Sequence, residues 1–83
     1  MSVIYRSEDG DRYTQKSFER EVAEAMQTFK QFRRLPHKRF KQAVKVASQM
    51  VLSTISWEHP ATVVEQFDDE DVQYILDKIR GDR

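Results

Sequence analysis

Eighty-three residues without a cysteine suit one domain and exclude disulfides, thiolate zinc sites and thiol nucleophiles. A chain of this size buries roughly 60% of its unfolded surface and folds alone with little stability to spare. Fourteen basic and fourteen acidic residues cancel overall, but residues 25–57 hold seven basic and no acidic residues, while 1–24 hold four and six and 58–83 hold three and eight.

The first 14 residues set "VIY" and "RYT" around "EDGD". Asp-Gly between β-formers signals a hairpin, because Gly10 tolerates positive φ. Since a lone two-stranded hairpin is marginal in water, it must lie on the helices or stay extended. From Ser17 the apolar period becomes helical: Phe18, Val22, Ala25, Met26, Phe29 and Phe32 recur at steps of three and four. The pattern predicts a helix over 15–34, capped by Thr14 or Ser17 and ended by Leu35-Pro36.

Pro36 suits the first position of a second helix, predicted over 36–56. Phe40, Ala43, Val44 and Ala47 make its inner face, and "VASQMVLSTISW" is apolar around most of its circumference. Such a helix belongs at the centre of a fold. Pro60 opens a short helix over 60–67 with Val63, Val64 and Phe67 as its ridge. The last helix, 69–80, has the clearest start: Asp68 at the N-cap, Asp71 at the third position and Phe67 placed to pack on Val72. Val72, Ile75, Leu76 and Ile79 form its inner face, and Arg80-Gly81 is its stop. The expected fold class is all-α: a bundle of three long helices and one short one behind an N-terminal hairpin or extended segment.

Parts for catalysis are missing. Two glycines cannot build a phosphate-cradling loop, and His37 and His59 stand 22 residues apart without a ligand at metal spacing. Each histidine reads as a surface or capping residue. "DDED" at 68–71 lacks the glycine a calcium loop needs at its sixth position, where Gln73 stands. Ser48, Ser53, Thr54 and Ser56 fall in a helix without a base at a recognisable offset. No enzyme, cofactor or metal site is therefore expected.

One feature remains. "FKQFRRLPHKRFKQAVK", Phe29 to Lys45, carries Lys30, Arg33, Arg34, His37, Lys38, Arg39, Lys41 and Lys45 and no carboxylate. Cations near a helix start oppose the helix dipole by roughly 0.3–1 kcal/mol each when exposed. Something negative should meet them, and three sources compete. The chain's own Asp68, Asp69, Glu70 and Asp71 would make the cluster a structural network. An acidic surface on another protein would make it a docking site, with the acidic C-terminal region helping to set orientation. Nucleic-acid phosphate is the alternative partner. It is disfavoured by an isoelectric point of about 6.7 and by the lack of a helix-turn-helix linker.

Met50, Leu52, Trp57, Tyr5 and Tyr13 are residue types enriched at interfaces, and a homodimer covering the apolar surplus is a middle option. No apolar run approaches the roughly 20 residues of a membrane span, and the N-terminus has no signal-peptide pattern. The expectation is a non-catalytic helical regulator or inhibitor of the cytoplasm that acts by protein-protein contact. Its size suits a bacterial or phage accessory protein.

Overall fold

A computed structural model describes residues 2–54 and 57–81. They form a mainly helical fold that opens with a two-stranded antiparallel hairpin, β1 (Val3–Arg6) and β2 (Arg12–Thr14). Tyr5 lies opposite Tyr13 and Arg6 opposite Arg12, with a bulge between Val3 and Tyr5. Gly10 has φ of 91°, in the left-handed region. Its N–H donates to the Ser7 carbonyl at 2.9 Å, and the Ser7 N–H donates to the Asp11 carbonyl at 3.0 Å, so Glu8 and Asp9 make the turn and Gly10 takes the left-handed place that follows it.

The hairpin feeds directly into α1 (Gln15–Met26) through a reciprocal cap. The Ser17 N–H donates to the Thr14 hydroxyl, and the Thr14 N–H donates to Ser17 Oγ at 2.9 Å. Thr14 and Ser17 thus cap together, where the sequence offered one or the other.

The predicted helix over 15–34 is not continuous. At Thr28 the hydroxyl donates back to the Ala25 carbonyl at 2.7 Å, and Phe29 is extended at φ −96°, ψ 121°. One further turn, α2 (Lys30–Arg33), follows. Phe29 and Phe32 pack edge to face with centroids 5.7 Å apart, and Phe32 is fully buried. Both phenylalanines therefore reach apolar surroundings without an unbroken helix, which is why their spacing did not reveal the break.

Pro36 stands one place earlier than expected, as the N-cap of α3 (His37–Ser53) at φ −58°, ψ 153°. Its carbonyl accepts the first helical hydrogen bond, from the Phe40 N–H at 2.8 Å. The helix ends at Ser53 with Thr54 extended; the expected continuation through residues 55 and 56 lies outside the described residues. Pro60 does occupy the first turn of α4 (Pro60–Glu65). In α5 (Asp69–Gly81), Asp68 Oδ1 accepts from the Asp71 N–H at 2.9 Å and Asp71 Oδ2 accepts from the Asp68 N–H at 3.1 Å. The helix runs through Gly81, one residue beyond the predicted end.

α3 touches all four other helices, as its apolar circumference requires. Its buried stripe of Ala43, Val44, Ala47, Ser48 and Val51 has short side chains that let the neighbours approach. α1 contributes Phe18, Val22, Ala25 and Met26, and it carries both the hairpin and α4 on its flanks. Val63 and Val64 of α4 and Val72, Ile75 and Ile79 of α5 close the core. Burying each such side chain contributes about 1.5–3 kcal/mol. Among the described residues no helix is long and apolar enough to cross a membrane.

Candidate functional site

The basic residues do not form one patch. The fold divides them among three places around the α2–α3 junction.

Arg39 stays largely exposed but reaches across to α5. Its Nη1 donates at 2.7 Å to the carbonyl of Ile79, in the last turn of α5. A cation at the negative end of a helix dipole, bonded to a carbonyl of the last turn, is a favourable cap. Arg39 also lines a depression of about 310 Å³ with Leu35, Pro36 and Leu76, beside Arg80. It serves the fold, a role that charge counting did not anticipate.

His37, Lys41 and Lys45 lie at steps of four along α3 and edge a groove of about 300 Å³. The opposite edge carries Lys16 and Arg20 of α1, also four apart. Ala23, Phe40 and Val44 supply the apolar surface between them, and Glu19 is the one acid in the lining. The Glu19 carboxylate accepts from the Gln15 side-chain amide along α1. Four full positive charges and a histidine thus surround an apolar slot. Lys16 and Arg20 had been hidden because they belong to a segment whose net charge is negative. Their four-residue spacing on the polar side of α1 was the available signal.

Lys30, Arg33, Arg34 and Lys38 are exposed on α2 and around the start of α3. Arg33 and His37 edge a further hollow of about 430 Å³ with Phe32, Leu35 and Phe40. α3 begins without an acidic residue in its first turn and without a side-chain cap.

Among the described residues, none of the eight basic side chains lies within ion-pair distance of a carboxylate. The ion pairs present are His59 with Asp9 at 2.9 Å, His59 with Asp11 at 3.5 Å, and Arg80 with Asp77 at 3.9 Å. Asp68 and Asp71 are engaged with each other's backbone at the start of α5, and Asp69 and Glu70 stand exposed in its first turn. Placed there, they complement the positive end of the dipole.

His59 anchors a separate cluster that fastens the hairpin to the segment before α4. Its Nε2 meets Asp9 Oδ2 at 2.9 Å, and its Nδ1 meets the Tyr13 hydroxyl at 2.8 Å. The Tyr5 hydroxyl donates to the Glu58 carbonyl, and the Glu8 N–H donates to the Trp57 carbonyl at 2.7 Å. The hydrogen bond with Asp9, more than any other influence, holds the His59 pKa above its ordinary value; partial burial opposes it, and Asp11 and Glu21 add to the rise. Burial raises both phenols, with Glu58 adding for Tyr5 and Asp11 foremost among the charges for Tyr13. Asp9 and Asp11 approach different ring nitrogens, an arrangement of ion pairs and not of shared metal ligands. Among the described residues no group of three or more histidines and carboxylates is placed to hold a metal ion.

The residue types first associated with interfaces divide in the same way. Tyr5 and Tyr13 pack on Phe18, with ring centroids at 5.2 and 6.3 Å, and so belong to the hairpin's anchorage. Met50 lines a broad depression of about 680 Å³ between α3 and α5 with Val46, Tyr74, Glu70, Asp71 and Lys78. Trp57 is 64% exposed and Tyr74 51%.

Comparison of the chain with protein-family models, with curated proteins and with solved structures finds no match.

Proposed function

We propose that this chain is a non-catalytic regulator or inhibitor that binds an acidic surface on another protein through the basic α2–α3 junction. The observation that carries the reading is the state of the cations: the acids at 68–71 are used or placed at the start of α5, and Lys30, Arg33, Arg34, Lys38, Lys41 and Lys45 have no carboxylate within ion-pair distance among the described residues. Like charges gathered around one junction repel each other, and an opposed acidic surface relieves that repulsion, speeds encounter and fixes register. The acidic start of α5 adds a second, oppositely charged region that orients the partner. A cytoplasmic setting fits the absence of cysteine.

Phosphate would satisfy the same cations, so nucleic acid is the reading to exclude. Immobilised protein is challenged with lysate of the native host, with and without nuclease treatment, beside a variant carrying Arg33→Glu, Arg34→Glu and Lys38→Glu. An acidic protein retained by the parent and lost by the variant supports the proposal. Retention that vanishes with nuclease, together with duplex binding at about 50 mM salt that weakens by orders of magnitude at about 200 mM, refutes it in favour of nucleic acid.

A further inference from the structure

The groove between α1 and α3 has a property that an electrostatic landing surface does not need: an apolar floor. Resting on the acidic-partner reading above, we infer that this groove takes an acidic amphipathic helix of the partner, with one apolar side chain of that helix inserted against Ala23, Phe40 and Val44. His37, Lys41 and Lys45 extend along α3 over eight residue steps, about 12 Å at the helical rise, with about 6 Å between successive members. Carboxylates four residues apart on a partner helix repeat at that same interval. Lys16 and Arg20 repeat it on the opposite edge. A segment of two to three turns with acids on both shoulders and an apolar ridge between them meets both edges and the floor together. Helix-in-groove recognition has this form, with apolar anchors giving affinity and charged flanks giving register.

The floor also separates this occupant from nucleic acid. Phosphate gains nothing from Ala23, Phe40 and Val44. An apolar side chain gains from all three. The slot's volume of about 300 Å³ sits at the lower end of the range for sites that enclose a ligand, which suits an anchor side chain of a helix lying across the top.

The test uses three labelled probes followed by fluorescence anisotropy. The first is a synthetic helical peptide with glutamates at four-residue spacing flanking a leucine ridge. The second is its twin with the leucines replaced by alanine, and the third is a DNA duplex. The leucine peptide should bind about tenfold or more tighter than its alanine twin, the scale expected for burying one anchor side chain. Ala23→Leu fills the slot without changing charge and should erase that difference. Lys16→Gln with Arg20→Gln should weaken both peptides, whereas Arg33→Gln with Arg34→Gln should change neither by more than about twofold. A second groove variant, Lys41→Gln with Lys45→Gln, leaves the core-facing residues alone and should repeat the Lys16 and Arg20 result.

Equal binding of the two peptides, or a leucine advantage that survives Ala23→Leu, overturns the groove. Loss of peptide binding on changing Arg33 and Arg34, but not on changing the groove residues, leaves the acidic-partner reading standing and removes the groove from it. Duplex binding tighter than either peptide at about 0.15 M salt overturns both.

Discussion

Arg39 and Ile79 join the first turn of α3 to the last turn of α5: the guanidinium Nη1 of the first donates to the backbone carbonyl of the second at 2.7 Å across 40 residues of sequence. A cation from the most basic stretch thus stabilises the end of a helix that begins with acids. Arg39→Ala should destabilise the protein by about 1–2 kcal/mol, the value of a partly exposed charged hydrogen bond. Lys38→Ala, one residue away and exposed, should stay within about 0.5 kcal/mol. Urea denaturation of the two variants measures the contrast.

His59 makes stability depend on pH in a definite direction. Its folded-state pKa is raised, first by the hydrogen bond to Asp9. A raised pKa means that the folded state binds the proton more tightly, so the contribution is complete below the unfolded value of about 6.5. It fades as pH rises through the folded value. The neutral ring keeps an Nε2–H for Asp9 while Nδ1 accepts from the Tyr13 hydroxyl, so the contacts survive and only the charge attraction is lost. The parent's melting temperature should fall from pH 6 to 8 relative to His59→Gln. A constant difference between the two across that range would mean that His59 contributes no charge.

Ser48 is buried in α3 with no hydrogen-bond partner for its hydroxyl among the described residues. Burial without a partner is costly, and alanine is the better helix former. Ser48→Ala should stabilise by up to about 1 kcal/mol, read as a higher urea midpoint with an unchanged slope.

Phe32 holds the junction in place. α2 is a single turn without a side-chain cap, and its one buried residue is Phe32. Phe32→Ala should cost about 3–5 kcal/mol, whereas Phe32→Leu, closer in volume, should cost less than about 1.5. The melting temperatures of the two variants give the comparison, at about 4–8 °C per kcal/mol for a domain of this size.

These relationships were unequally visible in the sequence. The start of α5 was fully legible, because a reciprocal aspartate cap is a local arrangement of residues three apart. The hairpin was one of two readings the sequence left open for residues 1–14, and Gly10 takes the positive φ that reading relied on. The break at Thr28–Phe29 was not legible: it rests on a side chain bonding to the backbone, and the flanking phenylalanines keep helical spacing across it. The basic stretch was legible as composition only. Which cations face a groove, which cap a helix and which stand free depends on contacts 20 to 40 residues apart, and these bring Lys16 and Arg20 beside Lys41 and Lys45 while drawing Arg39 away.

A double-mutant cycle measures whether the basic surface is independent of the chain's own acids. Arg33→Glu, Arg34→Glu and Lys38→Glu form one arm, and Asp68→Asn with Asp71→Asn forms the other, since asparagine still caps. Urea unfolding of the parent, each arm and the combination gives the coupling energy. The expected coupling is within about 0.5 kcal/mol of zero, as for groups that share no contact. A coupling well above about 1 kcal/mol would mean that the cations are already neutralised within the fold, leaving no surface for an acidic partner.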